Sequence, residues 1–60
     1  MNPTIIPFKG YIIEIHEHPI YHDFEFVIKN LDGKVVNASM NQYKIFEDAE
    51  VNAKMVIANN

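Results

Sequence analysis

The dipeptide Asp32-Gly33 constrains the fold of this chain most, because it separates two segments in which apolar and polar residues alternate. This period of two is typical of strands that bury one face. A two-residue turn at the dipeptide would place Ile28 opposite Asn37 and mix the two faces. A three-residue loop at residues 31–33, with a left-handed glycine, places Ile28 opposite Val36 and is therefore predicted. In this register Phe26 faces Ala38, and Phe24 faces Met40.

Further segments extend the predicted meander on both sides of this hairpin. Residues 2–7 contain two prolines and are interpreted as an extended lead-in, and residues 8–17 as a strand with a bulge at Gly10. Residues 41–49 break the alternation and predict a short α-helical or 3₁₀ turn. A last strand is predicted at residues 50–58, followed by frayed ends at Asn59 and Asn60. Its apolar face would contain Val51, Ala53, Met55 and Ile57.

The connection before the hairpin is also predicted from the alternation. Aligning Ile13 with Phe26 keeps the apolar rows together and leaves residues 18–21 as a loop. Pro19 then occupies the second position of a type I turn, where its fixed φ is suitable. A register shifted by two residues would preserve the same faces, so this alternative stays open.

These elements predict one all-β domain over residues 1–60. We expect a small, partly open antiparallel barrel of four to five strands, with one short helical turn before the last strand. The arrangement resembles the small SH3-like and OB-like barrels, in which residues 45–51 would form the turn before the last strand. Ala49 departs from that pattern, because a glycine is common there. Such folds have unrelated functions, so the resemblance implies no particular activity.

The composition limits which partners and which compartment are expected. The chain has five lysines, eight carboxylates, no arginine and no cysteine. Arginine is the residue best suited to phosphate and guanine contacts, so nucleic-acid binding is disfavoured. Without an apolar leader or membrane span, we expect a cytoplasmic protein. Nine isoleucines and seven asparagines suggest an AT-rich genome, such as that of a phage or plasmid.

Acidic residues and a histidine on the polar face form one candidate metal site. The predicted register places Glu14 across from Glu25, and a nearby cation would relieve their repulsion. His16, across from Asp23, would complete a mixed set of ligands for zinc or manganese. The favoured alternative is a solvated face screened by water. The candidate metal ligands are Glu14, His16, Asp23 and Glu25.

The sequence contains little material for catalysis. Ser39 and Thr4 are the only aliphatic hydroxyls, and neither has a histidine close in sequence that could act as a base. The two glycines are far apart, so no phosphate-binding loop is formed. We therefore expect a protein that is not an enzyme and that uses no cofactor.

Apolar residues in two connecting segments are the candidate partner-binding residues. Ile20 and Tyr21 lie in the predicted loop and Tyr43 in the later turn, where they would either contact a partner or fold back onto the core. The leading hypothesis is an acidic protein-interaction module, of the kind a phage or plasmid uses to modulate a host protein. It would bind another protein, or a second copy of itself, through this loop and the edge of the last strand.

Two other classes of function stay open. An OB-like surface could bind nucleic acid or a ribosome if the fold gathered the five lysines on one side, and the acidic face could bind a metal or a small ligand. The lysines are Lys9, Lys29, Lys34, Lys44 and Lys54.

Overall fold

The computed structural model describes residues 2–59, which form a four-stranded antiparallel sheet with one helix against one face. The elements are β1 (Thr4–Phe8), β2 (Tyr11–Glu17), β3 (Phe24–Lys29), β4 (Val35–Ala38) and α1 (Phe46–Ala58). The strand order is β1-β2-β3-β4, so the sheet is open and β1 and β4 form its edges. The prediction of a small, mostly β, antiparallel domain is confirmed, whereas the described sheet is not closed into a barrel.

The first hairpin corrects the interpretation of residues 2–17. The supposed lead-in contains β1, and Gly10 belongs to a turn between two strands, not to a bulge within one. Phe8 pairs with Tyr11 across Lys9 and Gly10, whose φ angles are 49° and 82°. Two successive positive φ angles are typical of the tight turn that matches the twist of a hairpin. The prolines misled the prediction, because an edge strand tolerates a residue without an N–H group.

The β2–β3 register differs by two residues from the predicted one. Ile13 pairs with Ile28, not with Phe26, which pairs with Ile15. The shift leaves the same residues on the buried face, so the alternation could not distinguish the two registers. The shift also lengthens the connecting loop to residues 18–23. The last residue pair before the loop is Glu17 with Phe24.

The β3–β4 loop is as predicted, but the register beyond it is not. Asn30 and Gly33 close the three-residue loop through a bond from the N–H of Gly33 to the carbonyl of Asn30 (3.0 Å). Gly33 has a φ of 86°. A bulge then leaves Val36 without a partner, so that Ile28 faces Asn37. Every residue of β4 is exposed, so no buried row fixes its register.

The predicted last strand is wrong, because residues 46–58 form α1. Ala49, Ala53 and Ile57 are its buried residues, and they follow one another at intervals of four along one helix face. The residues between them include Glu50 and Lys54, which favour helix and form an ion pair of 2.9 Å. Asn59 caps the helix by donating its N–H to the carbonyl of Met55 (3.0 Å). Asn60 lies outside the described residues.

The core lies between α1 and one face of the sheet. Small alanines on the helix allow it to approach the large apolar side chains of β2 and β3 closely. The buried residues are Ile13, Ile15, Phe26, Ile28, Ala49, Ala53 and Ile57. The opposite face of the sheet carries Ile5, Ile12 and Val27 beside charged residues, with no described element over it.

Replacement of either glycine by valine should destabilise the domain by roughly 1 to 3 kcal/mol, because both have positive φ. No atom lies within 4 Å of an added Cβ at Gly10 or Gly33, so the cost is backbone strain. Asparagine tolerates this conformation and serves as the matched control at each position. In thermal melts, Gly10→Val should therefore have a lower melting temperature than Gly10→Asn, and Gly33→Val a lower one than Gly33→Asn. Equal melting temperatures within either pair would contradict a left-handed turn at that position.

Candidate functional site

The β2–β3 loop (residues 18–23) is held by its own backbone. His18 donates its N–H to the carbonyl of Asp23 (2.7 Å), and His22 donates its N–H to the carbonyl of His18 (2.9 Å). His22 has a φ of 59°, an uncommon conformation for a residue other than glycine. These bonds close the loop just beyond the last strand pair.

The imidazole of His18 fixes the tip of this loop. Its Nδ1 atom accepts hydrogen bonds from the backbone N–H groups of Ile20 and Tyr21, each at 3.2 Å. Its ring also lies 5.0 Å from the ring of Tyr21, measured between centroids. His18 therefore does what Asn or Asp does in many turns, where a side-chain acceptor satisfies the backbone two or three residues later.

The three predicted partner-binding residues occupy different environments. Ile20 and Tyr21 are 73% and 72% exposed, so neither folds back onto the core. Tyr43 is half-buried, and its ring stacks on Phe26 at 6.2 Å. Its backbone also exchanges two hydrogen bonds with Phe24, of 2.7 and 2.8 Å. The structure thus presents Ile20 and Tyr21 as an exposed pair and uses Tyr43 to support the core.

A cavity of about 200 Å³ lies at the base of the loop, and we call it the loop-base cavity. The rings of Phe24 and Phe46 meet edge to face there, with centroids 5.7 Å apart. Glu17 contributes a carboxylate whose Oε2 accepts a hydrogen bond from Nδ1 of His22 (2.9 Å). The lining residues are Asn2, Thr4, Ile15, Glu17, Phe24 and Phe46.

The predicted metal ligands lie in a different arrangement from the expected one. Glu14 faces Val27 and His16 faces Glu25, so the two glutamates are not opposite one another, and Asp23 belongs to the loop. The like-charge pair that motivated the metal hypothesis is therefore absent. Within residues 2–59, no three acidic or histidine side chains are grouped so as to hold a metal ion.

Glu14 has hydrogen-bond donors within the protein instead. Lys29 donates to its Oε2 atom at 2.7 Å, and His16 donates to its Oε1 atom at 3.1 Å. The hydrogen bond from Lys29 is the main cause that lowers the pKa of Glu14, while partial burial acts in the opposite direction. Because the folded state lowers this pKa, the stability from this carboxylate is lost as the pH falls through the lowered value.

Three of the five lysines have described side-chain contacts with other residues. Lys29 pairs with Glu14, and Lys54 pairs with Glu50. Lys9 and Lys54 both lie near the ring of Phe8, at 5.5 and 5.3 Å from its centroid. These contacts hold the lysines within the fold, and the hypothesis of nucleic-acid binding stays a prediction.

Sequence reasoning missed the roles of His18, Glu17 and Phe46. The sequence places His18 only in the predicted loop at residues 18–21, although a side-chain acceptor two or three residues before its backbone N–H donors is a recognised turn pattern. Glu17 offered a clearer signal, because it continues the apolar row of Ile13 and Ile15 as a charged residue. Phe46 carried no such signal, since its position depends on a helix of which residues 50–58 were predicted as a strand.

Comparisons with models of protein families, with curated proteins and with solved structures found no match for this chain. The described part of the chain contains no helix that is both long and apolar enough to cross a membrane.

Proposed function

We propose that this chain is a non-enzymatic protein-interaction module whose contact surface is the β2–β3 loop. The partner is another protein or a second copy of this chain. The observation that carries the proposal is the pair Ile20 and Tyr21, two large side chains that are both more than two-thirds exposed on a hydrogen-bonded loop.

The fixed backbone of the loop supports a binding role. Hydrogen bonds to His18 hold both amides at the tip, so the loop loses little conformational freedom when a partner binds. Tyrosine is enriched among the residues that dominate binding energy at interfaces, because it buries a large area and retains a polar hydroxyl. An exposed isoleucine beside it gains further free energy when a partner removes it from water.

The surroundings of the hydroxyl groups also agree with this proposal. Ser39 accepts a hydrogen bond from the N–H of Phe26 at 3.1 Å, which gives this side chain a role in the sheet. Thr4 of β1 pairs with Ile15 of β2 and lies on the sheet face that packs in the core. Neither arrangement resembles a nucleophile activated by a base.

The double variant Ile20→Asp/Tyr21→Ala should lose partner binding and remain folded, because both side chains are exposed. Leu31→Asp is the matched control, since Leu31 is also 73% exposed but lies in the β3–β4 loop. Quantitative capture from a lysate should identify proteins retained by the wild type and the Leu31 variant but lost by the double variant. Native mass spectrometry tests self-association in the same three samples.

Two outcomes would contradict the proposal. If the double variant retained every partner and the same oligomeric state, the loop would not be the contact surface. If it unfolded in a thermal melt while Leu31→Asp did not, the two residues would belong to the core.

A further inference from the structure

We propose that the loop-base cavity binds an alkylammonium group, namely the side chain of a lysine on the partner protein. This inference rests on the proposed function, because it identifies the chemistry of the partner that the loop contacts. A lysine side chain combines an apolar stem with a cationic end, and the cavity offers a wall for each part.

The apolar wall suits the stem of such a side chain. Ile15, Phe24 and Phe46 contribute one aliphatic and two aromatic surfaces to the lining. In the edge-to-face contact of the two rings, one ring directs its edge at the other. The apolar stem of a lysine side chain gains free energy when such a wall removes it from water, while its charged end stays at the polar side.

The polar wall suits the ammonium end. Glu17 is only 33% exposed, which weakens the screening of its charge by water. Among the described residues, only its Oε2 atom receives a hydrogen bond, from His22, and Oε1 is left for a second donor. Asn2 and Thr4 also line the cavity, and each has a side-chain oxygen that can accept a hydrogen bond. An ammonium has three donors and no acceptor, which matches this set.

The charges around the cavity also favour a cation. The start of α1 carries a partial positive charge that would oppose one, but Glu47 and Asp48 in the first turn offset it. Among the described lining residues none is basic. The whole chain has a formal charge of −3, which attracts cationic groups over longer distances.

The size of the cavity favours one side chain over a whole small molecule. Its volume of about 200 Å³ is below the roughly 300–1,000 Å³ of typical ligand pockets. It also adjoins the proposed contact surface, because Glu17 and Phe24 are the last strand pair before the β2–β3 loop. A partner that covers Ile20 and Tyr21 would therefore reach the cavity with a neighbouring side chain.

The first experiment uses small probes and needs no partner. The ¹⁵N-labelled protein is titrated with n-butylammonium, with neutral 1-butanol and with butyrate, and backbone amide shifts are followed by NMR. We expect n-butylammonium alone to shift the amides of Glu17, Phe24 and Phe46 in a saturable manner. Equal shifts with 1-butanol, or none with n-butylammonium, would overturn the proposal.

The second experiment tests the carboxylate. Glu17→Gln preserves the shape and removes the charge, and should weaken n-butylammonium binding by about tenfold. Glu25→Gln is the control, because Glu25 is an exposed carboxylate on the opposite face of the sheet, and its affinity should match the wild type. Equal weakening in both variants would overturn a specific role of Glu17. If Glu17→Gln fails to fold, the comparison of n-butylammonium with 1-butanol on the wild type decides the question.

A third experiment distinguishes a lysine side chain from a free amine. A blocked pentapeptide with a central lysine should shift the same amides, and the same peptide with norleucine should not. Binding of n-butylammonium without the lysine peptide would overturn the assignment to a protein partner. Because the probes act without the tip residues, Ile20→Asp/Tyr21→Ala should still bind n-butylammonium even if the loop proves not to be the contact surface.

Discussion

Ala53→Asp is expected to unfold the protein. Ala53 is fully buried between α1 and the sheet, so an aspartate there would place an unpaired charge in the core. An uncompensated buried charge costs about 3–5 kcal/mol. The stability typical of a chain this short is only about 3–9 kcal/mol. Loss of the far-UV circular dichroism signal, or a large fall in the urea midpoint, would be the measured result.

Val51→Asp is the control for this variant, and it also tests the helix. In a strand, Val51 and Ala53 would share one face and both substitutions would be equally damaging. In α1 they lie on different faces, and Val51 is 54% exposed. Val51→Asp should therefore change the stability by no more than about 0.5 kcal/mol. Equal destabilisation by the two variants would contradict the helix and favour the strand.

Ile13→Ala should also cause a large loss of stability, of about 2–5 kcal/mol. Ile13 is fully buried at the centre of the core, so truncation removes apolar contacts and leaves a cavity. Ile12 is the neighbouring residue, and its half-buried side chain lies on the opposite face of the sheet. Ile12→Ala should therefore lower the stability by only about 1 kcal/mol. Urea denaturation with both variants measures the difference.

One result with these two isoleucine variants would contradict the packing described for the sheet. If Ile12→Ala destabilised the protein as much as Ile13→Ala, the face that α1 leaves uncovered would be a second core. The one-sided packing described for the sheet would then be wrong.

Alternation of residue types predicted the sheet well where one face is buried. The rows containing Ile13, Ile15, Phe26 and Ile28 were placed on the correct face, and Gly33 was placed in the correct loop. The same alternation could not fix the β2–β3 register, since a shift of two residues exposes nothing new. It also failed in β4, because the residues of this strand are all exposed and no buried row excludes the bulge at Val36.

The helix was missed because its sequence satisfies two periods at once. Val51, Ala53 and Met55 alternate with the polar residues Asn52 and Lys54, as in a strand, and Ile57 continues the same row. Ala49, Ala53 and Ile57 are also spaced by four, and the folded chain buries this second set. Burial of apolar surface against the sheet decides between the periods, and a single sequence window does not contain that information.

The candidate site was predictable only in part. The loop position of Ile20 and Tyr21 followed from the predicted strands, but their exposure did not, because apolar residues in a loop can meet solvent, the core or a partner. The loop-base cavity depends on Phe46, and therefore on a helix that contacts the sheet from a distant part of the chain. A tertiary contact of this kind leaves no local pattern in the sequence.

The simple connectivity of the sheet has a consequence for how the protein folds. Each strand pairs with its neighbour along the chain, so the three hairpins can form with small losses of loop entropy, which favours rapid folding. The helix contributes contacts over much longer separations, such as that of Lys54 with Phe8. Since α1 leaves the ribosome after the sheet, the apolar rows of β2 and β3 stay uncovered during synthesis until the helix follows. That interval is when the nascent chain is most exposed to aggregation and to chaperone binding.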